Sequence, residues 1–166
     1  MKMNVYITTG TFEYLKGIEM TYPSESMATM VNQDGALLLH ETSKTSVFKE
    51  PRKYEILESS GLIGKEGFAV INNIPITEES VPLFEHQFKD LPSLLEKEKG
   101  FIAIRVLRPL SSNTYIILTI WESAITFENR KTLLDSEIKK AYENVKHSHI
   151  FTSAPYVSKY TIVTPQ

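Results

Sequence analysis

The feature that most constrains this chain is an order of elements that occurs twice. In the first half, an alternating, β-branched run at Asn4–Thr9 predicts a strand. A helical segment follows, capped by Thr11 and ended by Pro23. Two further runs, 26–32 and 36–42, are joined through Asp34-Gly35, which is a strong β-hairpin signal. The first half is therefore predicted to be strand, helix and hairpin.

A second helix completes the first half, and the second half repeats the whole order. The pattern predicts a short helix from Pro51 to Leu57, ended by Ser59-Ser60-Gly61. In the second half, the pattern predicts strands over 68–77, 101–107, 114–122 and 156–163. It predicts helices over 84–95, capped by Thr77, and over 124–145. Two successions of strand, helix, hairpin and helix are typical of the ferredoxin-like plan.

The halves also resemble each other locally. Leu38–Ser43 parallels Thr119–Ser123, and each is predicted to lead to a helix with a Phe near its start, Phe48 or Phe127. The predicted fold class is α+β, an antiparallel sheet with helices on one face. The other face needs an apolar partner, which the second copy can supply.

We therefore expect an intramolecular pseudo-dimer with an N-terminal ferredoxin-like half, 1–63, and a C-terminal half, 66–166. Because the N-terminal half takes the place of a second subunit, the chain is expected to be a monomer or only weakly associated.

Composition excludes several function classes. The 166 residues contain no cysteine, so thiolate catalysis and Cys-ligated metals are absent. A net charge of −2 gives no electrostatic footprint for nucleic acid or for a membrane surface. Since the start has no apolar signal region and no stretch nears 18 apolar residues, a cytoplasmic protein is expected. Phosphate loops and hydrolase elbows are also missing from the sequence.

Five segments together resemble a known superfamily. They are Val5–Thr11, Gly67–Ile74, Ala103–Pro109, Leu118–Glu122 and His149–Val157. The chain resembles the antibiotic-biosynthesis-monooxygenase (ABM) superfamily over nearly its whole length. Within it, the chain is similar to the subfamily of haem-degrading monooxygenases and the staphylococcal target of RNAIII-activating protein (TRAP).

The resemblance implies a haem pocket in the C-terminal half. Haem oxygenases of this superfamily carry an Asn, a Trp and a His. The Asn matches Asn72, whereas Arg130, nine residues after Trp121, stands at the Trp position and Tyr142 stands at the His position. The resemblance implies Asn72 as a catalytic residue and Tyr142 as the ligand of the haem iron. Haem would be both substrate and cofactor, and an external electron donor would be needed.

Each of these residues also has a structural interpretation. Asn72 is either a donor to iron-bound oxygen or an Asn that satisfies a turn. Tyr142 is either a phenolate ligand, stabilised by Lys139 and Lys146, or a surface tyrosine. Arg130 either holds a haem propionate or is a surface cation.

The aromatic and histidine residues leave the same choice open. Phe84, Phe88 and Trp121 either line a pocket for a flat ligand or fill the core. His147 and His149 form a His-x-His pair that is either solvated or a replacement ligand.

Two functions are therefore predicted, ahead of a third in which the same pocket takes a different aromatic substrate. The leading prediction is a haem-binding, haem-degrading monooxygenase that uses dioxygen and an external reductant. The alternative is a catalytically silent, TRAP-like signalling or stress-response protein that uses the same scaffold for protein contacts.

Overall fold

The computed structural model describes residues 2–145 and 155–164. Its eight strands are β1 to β8 in chain order, at Asn4–Gly10, Ser26–Asn32, Gly35–Thr42, Arg52–Ser60, Gly67–Pro75, Phe101–Pro109, Thr114–Trp121 and Tyr156–Ile162. The five helices are α1 to α5, at Phe12–Thr21, Val81–Gln87, Leu91–Leu95, Ala124–Arg130 and Thr132–Val145. A 3-10 turn at Glu78–Ser80 precedes α2.

The eight strands close into one antiparallel barrel in the order β1-β3-β2-β8-β5-β7-β6-β4. The N-terminal strands run β4-β1-β3-β2, and the C-terminal strands run β8-β5-β7-β6. Both are the ferredoxin-like order. The halves join where β2 pairs with β8 and where β4 pairs with β6. This arrangement confirms the predicted α+β fold and its pseudo-dimer.

Alternation along the strands separates two apolar layers. On β5, Ala69 and Ile71 belong to the cluster inside the barrel, whereas Val70 and Ile74 belong to the cluster under the helices. The helices therefore cover the outer face of the C-terminal sheet. A smaller outer cluster around Leu15 lies beneath α1 in the N-terminal half.

The predicted helix from Pro51 to Leu57 is wrong, because this segment forms strand β4. β4 is paired on both sides, with β1 and with β6. The N-terminal half therefore has a single helix, and Phe48 lies in the loop before β4 rather than in a helix. Pairing on two sides outweighs the helix propensity of Arg52, Lys53 and Glu55.

Two other predicted helices are divided. The apolar stripe is buried as expected, but it is not one helix: Phe84 lies on α2, Phe88 in the turn that follows, and Leu91 and Leu95 on α3. Similarly, 124–145 is split at Lys131 into α4 and α5. Thr11 caps α1 as predicted, through a hydrogen bond from the Tyr14 N–H at 3.3 Å. The Thr77 hydroxyl instead contacts Ser80 Oγ at 3.1 Å.

Candidate functional site

Asn72 lies near the end of β5, on the face that the helices cover. It shares this face with Val70 and Ile74. Asn72 is only 9% exposed, and its carboxamide has no hydrogen-bond partner among the described residues. No fully enclosed side-chain nitrogen or oxygen in the described ranges lacks a partner. The amide of Asn72 is therefore open to a neighbouring cleft, where it is available to a ligand.

The cleft has a volume of about 260 Å³ and lies between the end of β5, helix α5 and the start of β8. The two strand walls of the cleft are neighbouring strands of the sheet, in which Asn72 pairs with Val157 and Asn73 pairs with Tyr156. Most of its walls are apolar. The described residues that line it are Asn72, Asn73, Ile74, Asp135, Ile138, Lys139, Pro155, Tyr156 and Val157.

Asn73 points to the opposite face of β5 and has a structural task. Its Nδ2 donates to the backbone oxygens of Ile71 at 3.2 Å and Tyr156 at 3.3 Å. These bonds fix the start of β8 against β5. Of the two adjacent asparagines, only Asn72 is left without a partner in the described part of the chain.

The charged residues of the cleft all come from α5. Asp135 and Lys139 are one helical turn apart and exposed, whereas β5 and β8 contribute no charged residue to the lining. The cleft is consequently amphipathic, with an apolar body and a charged rim on one side.

The predicted pocket aromatics lie elsewhere. Phe84, Phe88 and Trp121 are at most 2% exposed and belong to the core between the helices and the sheet. Phe84 and Phe88 meet edge-to-face with ring centroids 4.9 Å apart, and Trp121 Nε1 donates to Thr119 Oγ1 at 2.9 Å. None of the three lines the cleft; all three pack in the core between the helices and the sheet.

Arg130 does not reach the cleft either. It is the last residue of α4 and is exposed, and the helical structure is interrupted at Lys131 before α5 begins at Thr132. Arg130 and Tyr142 therefore belong to different helices, which corrects the expectation of one continuous helix.

Tyr142 lies on α5, three residues after Lys139 and four after Ile138. The position of its side chain is outside the described part of the chain, so its role as a ligand stays a prediction. Lys146, His147 and His149 also lie outside the described residues.

A second cavity, of about 450 Å³, lies at the turn where β6 ends and β7 begins. Next to it, the Glu85 carboxylate accepts two hydrogen bonds from Arg108, at 2.7 and 2.8 Å, and one from Tyr115 at 2.5 Å. The Arg108 bonds outweigh burial and, with Tyr115, hold the pKa of Glu85 below its usual range. Burial and the bond to Glu85 raise the pKa of Tyr115. Glu85, Arg108 and Tyr115 are thus hydrogen-bond partners of one another.

Another buried group occupies the position in β3 that Trp121 occupies in β7. His40 is 1% exposed and lies between Glu25 Oε1 at 2.8 Å and Ser46 Oγ at 2.9 Å. Within the described ranges, no group of three His, Cys, Asp or Glu residues could hold a metal ion. A search of the same residues finds no helix long and apolar enough to cross a membrane.

Comparison with known proteins places these residues in a family context. Residues 67–133 match the model of the antibiotic biosynthesis monooxygenase family, and this range contains Asn72. The chain is 27% identical over 135 residues to the "Heme-degrading monooxygenase" of Listeria monocytogenes, covering 81% of each chain. It is also 27% identical over 156 residues to the "Signal transduction protein TRAP" of Staphylococcus aureus, covering 94% of this chain and 92% of that protein.

A solved structure matches the fold. The crystal structure of a ferredoxin-fold protein related to antibiotic biosynthesis monooxygenases, from Listeria monocytogenes 4b F2365, has a TM-score of 0.80 and 23% identity. The match covers 97% of this chain and 94% of that one. At this identity the likeness establishes the fold alone.

Proposed function

Because residues 67–133 match the model of the antibiotic biosynthesis monooxygenase family, we propose that the chain binds haem in the Asn72 cleft and degrades it. The observation that carries this proposal is the Asn72 amide, which is nine-tenths buried, lines an amphipathic cleft and has no hydrogen-bond partner in the described part of the chain. The similarity to a haem-degrading monooxygenase over 81% of both chains supports the choice of ligand.

The residues of the cleft fit one edge of a porphyrin. Ile74, Ile138 and Val157 offer apolar surface on both sides of the opening. At about 260 Å³, the cleft is smaller than most pockets that enclose a ligand completely, so a bound haem remains partly exposed. We propose Tyr142, which lies one turn beyond Ile138 on α5, as the iron ligand, because it stands where the related haem oxygenases have their histidine.

In this proposal, haem supplies the oxygen chemistry, with an external reductant as the source of electrons. The protein contributes orientation and hydrogen bonding. The Asn72 amide would donate a hydrogen bond to a ligand oxygen in the cleft, and this bond would stabilise negative charge on that oxygen. The apolar walls lower the local dielectric, which strengthens that hydrogen bond.

A haem titration followed by the Soret band tests this proposal. We expect saturable binding of one haem per chain, and loss of the Soret band when reductant and oxygen are added. Asn72→Ala should slow this loss roughly 100- to 1,000-fold while leaving affinity within a few-fold, because the amide acts on the reaction more than on binding. Asn129→Ala, which removes the same amide from an exposed position on α4, is the matched control.

Tyr142→Phe separates the ligand assignment from haem binding. Loss of a phenolate ligand should change the haem spectrum, whereas an unchanged spectrum would mean that Tyr142 is not the ligand. His147→Ala and His149→Ala are then the next variants to examine.

The second candidate function is a TRAP-like regulatory role without catalysis. It is favoured by the longer match to the TRAP protein, 94% of this chain, and by the Arg130 and Tyr142 substitutions at two of the three family positions. Absence of saturable haem binding would support this function. Haem that binds but survives reductant and oxygen would leave a haem-binding protein without the oxygenase activity.

A further inference from the structure

The charges around the Asn72 cleft are unevenly distributed. All the formal charge of its described lining is on α5, at Asp135 and Lys139, while the strand walls have none. A ligand that lies with its apolar body against the strands therefore presents its outer edge to these two side chains.

Asp135 and Lys139 differ in what surrounds them. Asp135 lies four residues after Lys131 and interacts electrostatically with it, so part of its charge is compensated. Lys139 has no ion-pair partner in the described part of the chain. Two other lysines of this region do have one: Lys131 pairs with Glu128 at 3.0 Å, and Lys140 pairs with Glu137 at 3.2 Å.

We propose that Lys139 makes the cleft selective for an anionic ligand by pairing with a carboxylate at the ligand's outer edge. This inference rests on the proposed function, for which it specifies how the substrate is recognised. The long alkyl stem of lysine lies along the apolar rim while the ammonium group remains in water. A porphyrin that carries its two carboxylates on one edge meets both requirements. Lys139 thus replaces Arg130 as the residue that positions a propionate.

The test compares haem with its dimethyl ester, in which both carboxylates are neutral. For the unmodified protein we expect the ester to bind roughly 1.5- to 5-fold more weakly, the range of a solvent-exposed ion pair. Lys139→Gln should weaken haem binding by the same factor, and Lys139→Glu should weaken it further. Raising the salt concentration should reduce the preference for haem over the ester.

The decisive result is the combination of variant and ester. If Lys139 and the carboxylates interact, Lys139→Gln weakens haem but causes no further loss with the ester. Lys140→Gln, an exposed neighbour outside the cleft lining, is the matched control and should leave the affinities for both ligands unchanged.

Two failures are distinguishable. Suppose that haem binds and that Asn72→Ala slows its turnover. If Lys139→Gln then binds haem as tightly as the unmodified protein does, and the unmodified protein binds the ester as tightly as haem, the Lys139 inference is wrong and the proposed function stands. If neither ligand shows saturable binding, the proposed function is wrong and the inference fails with it.

Discussion

Glu19 is the most deeply buried carboxylate that carries a clear pKa change. Its side chain is 3% exposed, and Oε1 accepts hydrogen bonds from the Thr29 N–H at 3.1 Å and the Thr29 hydroxyl at 2.6 Å. Lys65 Nζ donates to Oε2 at 2.8 Å. Burial raises the pKa of Glu19, but these hydrogen bonds and the charges of Lys65 and Lys16 outweigh it and lower the pKa below the ordinary value of 4.5.

We expect Glu19→Gln to lower the free energy of unfolding by about 1–3 kcal/mol at pH 7, because charge-assisted hydrogen bonds are lost in a buried place. A carboxylate whose pKa is depressed by folding stabilises the protein fully above its unfolded pKa. The difference between the two proteins should therefore shrink as the pH falls below about 4.5, through the lowered folded pKa.

Urea unfolding at a series of pH values measures this difference. Glu13→Gln is the control, since Glu13 is exposed on the same helix. A stability difference that does not vary with pH would contradict the assignment to the Glu19 charge.

At the scale of elements, the sequence predicts strands and hairpins well and helix limits less well. The alternation of 4–9 and the Asp34-Gly35 turn identify β1 and the β2–β3 hairpin, because local spacing alone determines them. β4 is different. Its Tyr54 is buried inside the barrel, but that environment comes from β1 and β6, which are distant in sequence. Local propensity therefore gave the wrong element.

The segment that joins the two halves begins at Gly61, directly after β4. Its φ is +77°, and a Cβ there would lie 2.0 Å from the backbone oxygen of Ile102. Its own carbonyl accepts a hydrogen bond from Arg105 Nη2 at 2.9 Å, and Arg105 also pairs with Glu41 of the N-terminal half at 2.6 Å. Gly61 thus permits a close backbone approach at a contact between the halves.

Gly61→Ala should destabilise the protein by roughly 1–3 kcal/mol, from backbone strain and displacement of β6. Gly64→Ala is the matched control in the same connection, because a Cβ at Gly64 meets nothing within 4 Å. That variant should stay within about 0.5 kcal/mol of the unmodified protein. Thermal and urea unfolding measure both. Equal stabilities of the two variants would show that the close approach at Gly61 does not matter.

At the scale of the whole molecule, the repeated order predicts two ferredoxin-like halves that form a pseudo-dimer, but the cleft is not predictable in the same way. Only the family resemblance singles out Asn72 in the sequence. Its surroundings come from three separate segments, the end of β5, the middle of α5 and the start of β8. Ile138 and Val157 carry no chemical signature in the sequence. Only the pairing of β8 with β5 and the side on which α5 packs bring them to Asn72.

The closed sheet bears directly on self-association. Every strand has a neighbour on both sides, so no strand edge of the described barrel is free to recruit a second copy. We expect the full chain to sediment as a monomer at micromolar concentration. A stable dimer at that concentration would contradict the prediction that the N-terminal half takes the place of a partner subunit.

The isolated C-terminal half should behave differently. Without residues 1–63, the sheet β8-β5-β7-β6 has two free edges, and its inner face exposes apolar residues such as Ile71, Leu118 and Ile120. In the full chain β8 pairs with β2, and β6 pairs with β4. In the order of the two sheets, β2 corresponds to β6 and β4 corresponds to β8. A second copy of the fragment can therefore offer its own β6 to β8 and close a similar barrel.

We expect residues 66–166 to form a dimer at micromolar concentration, because closure removes both edges and covers the apolar face. Sedimentation and light scattering should give twice the mass of the fragment, with the full chain as the monomeric control. Adding the 1–63 fragment should compete with this dimer, since it supplies β2 and β4, the native partners of β8 and β6. A fragment 66–166 that remains a folded monomer would mean that the half does not depend on a partner, and that the boundary at 63–66 separates two independent domains.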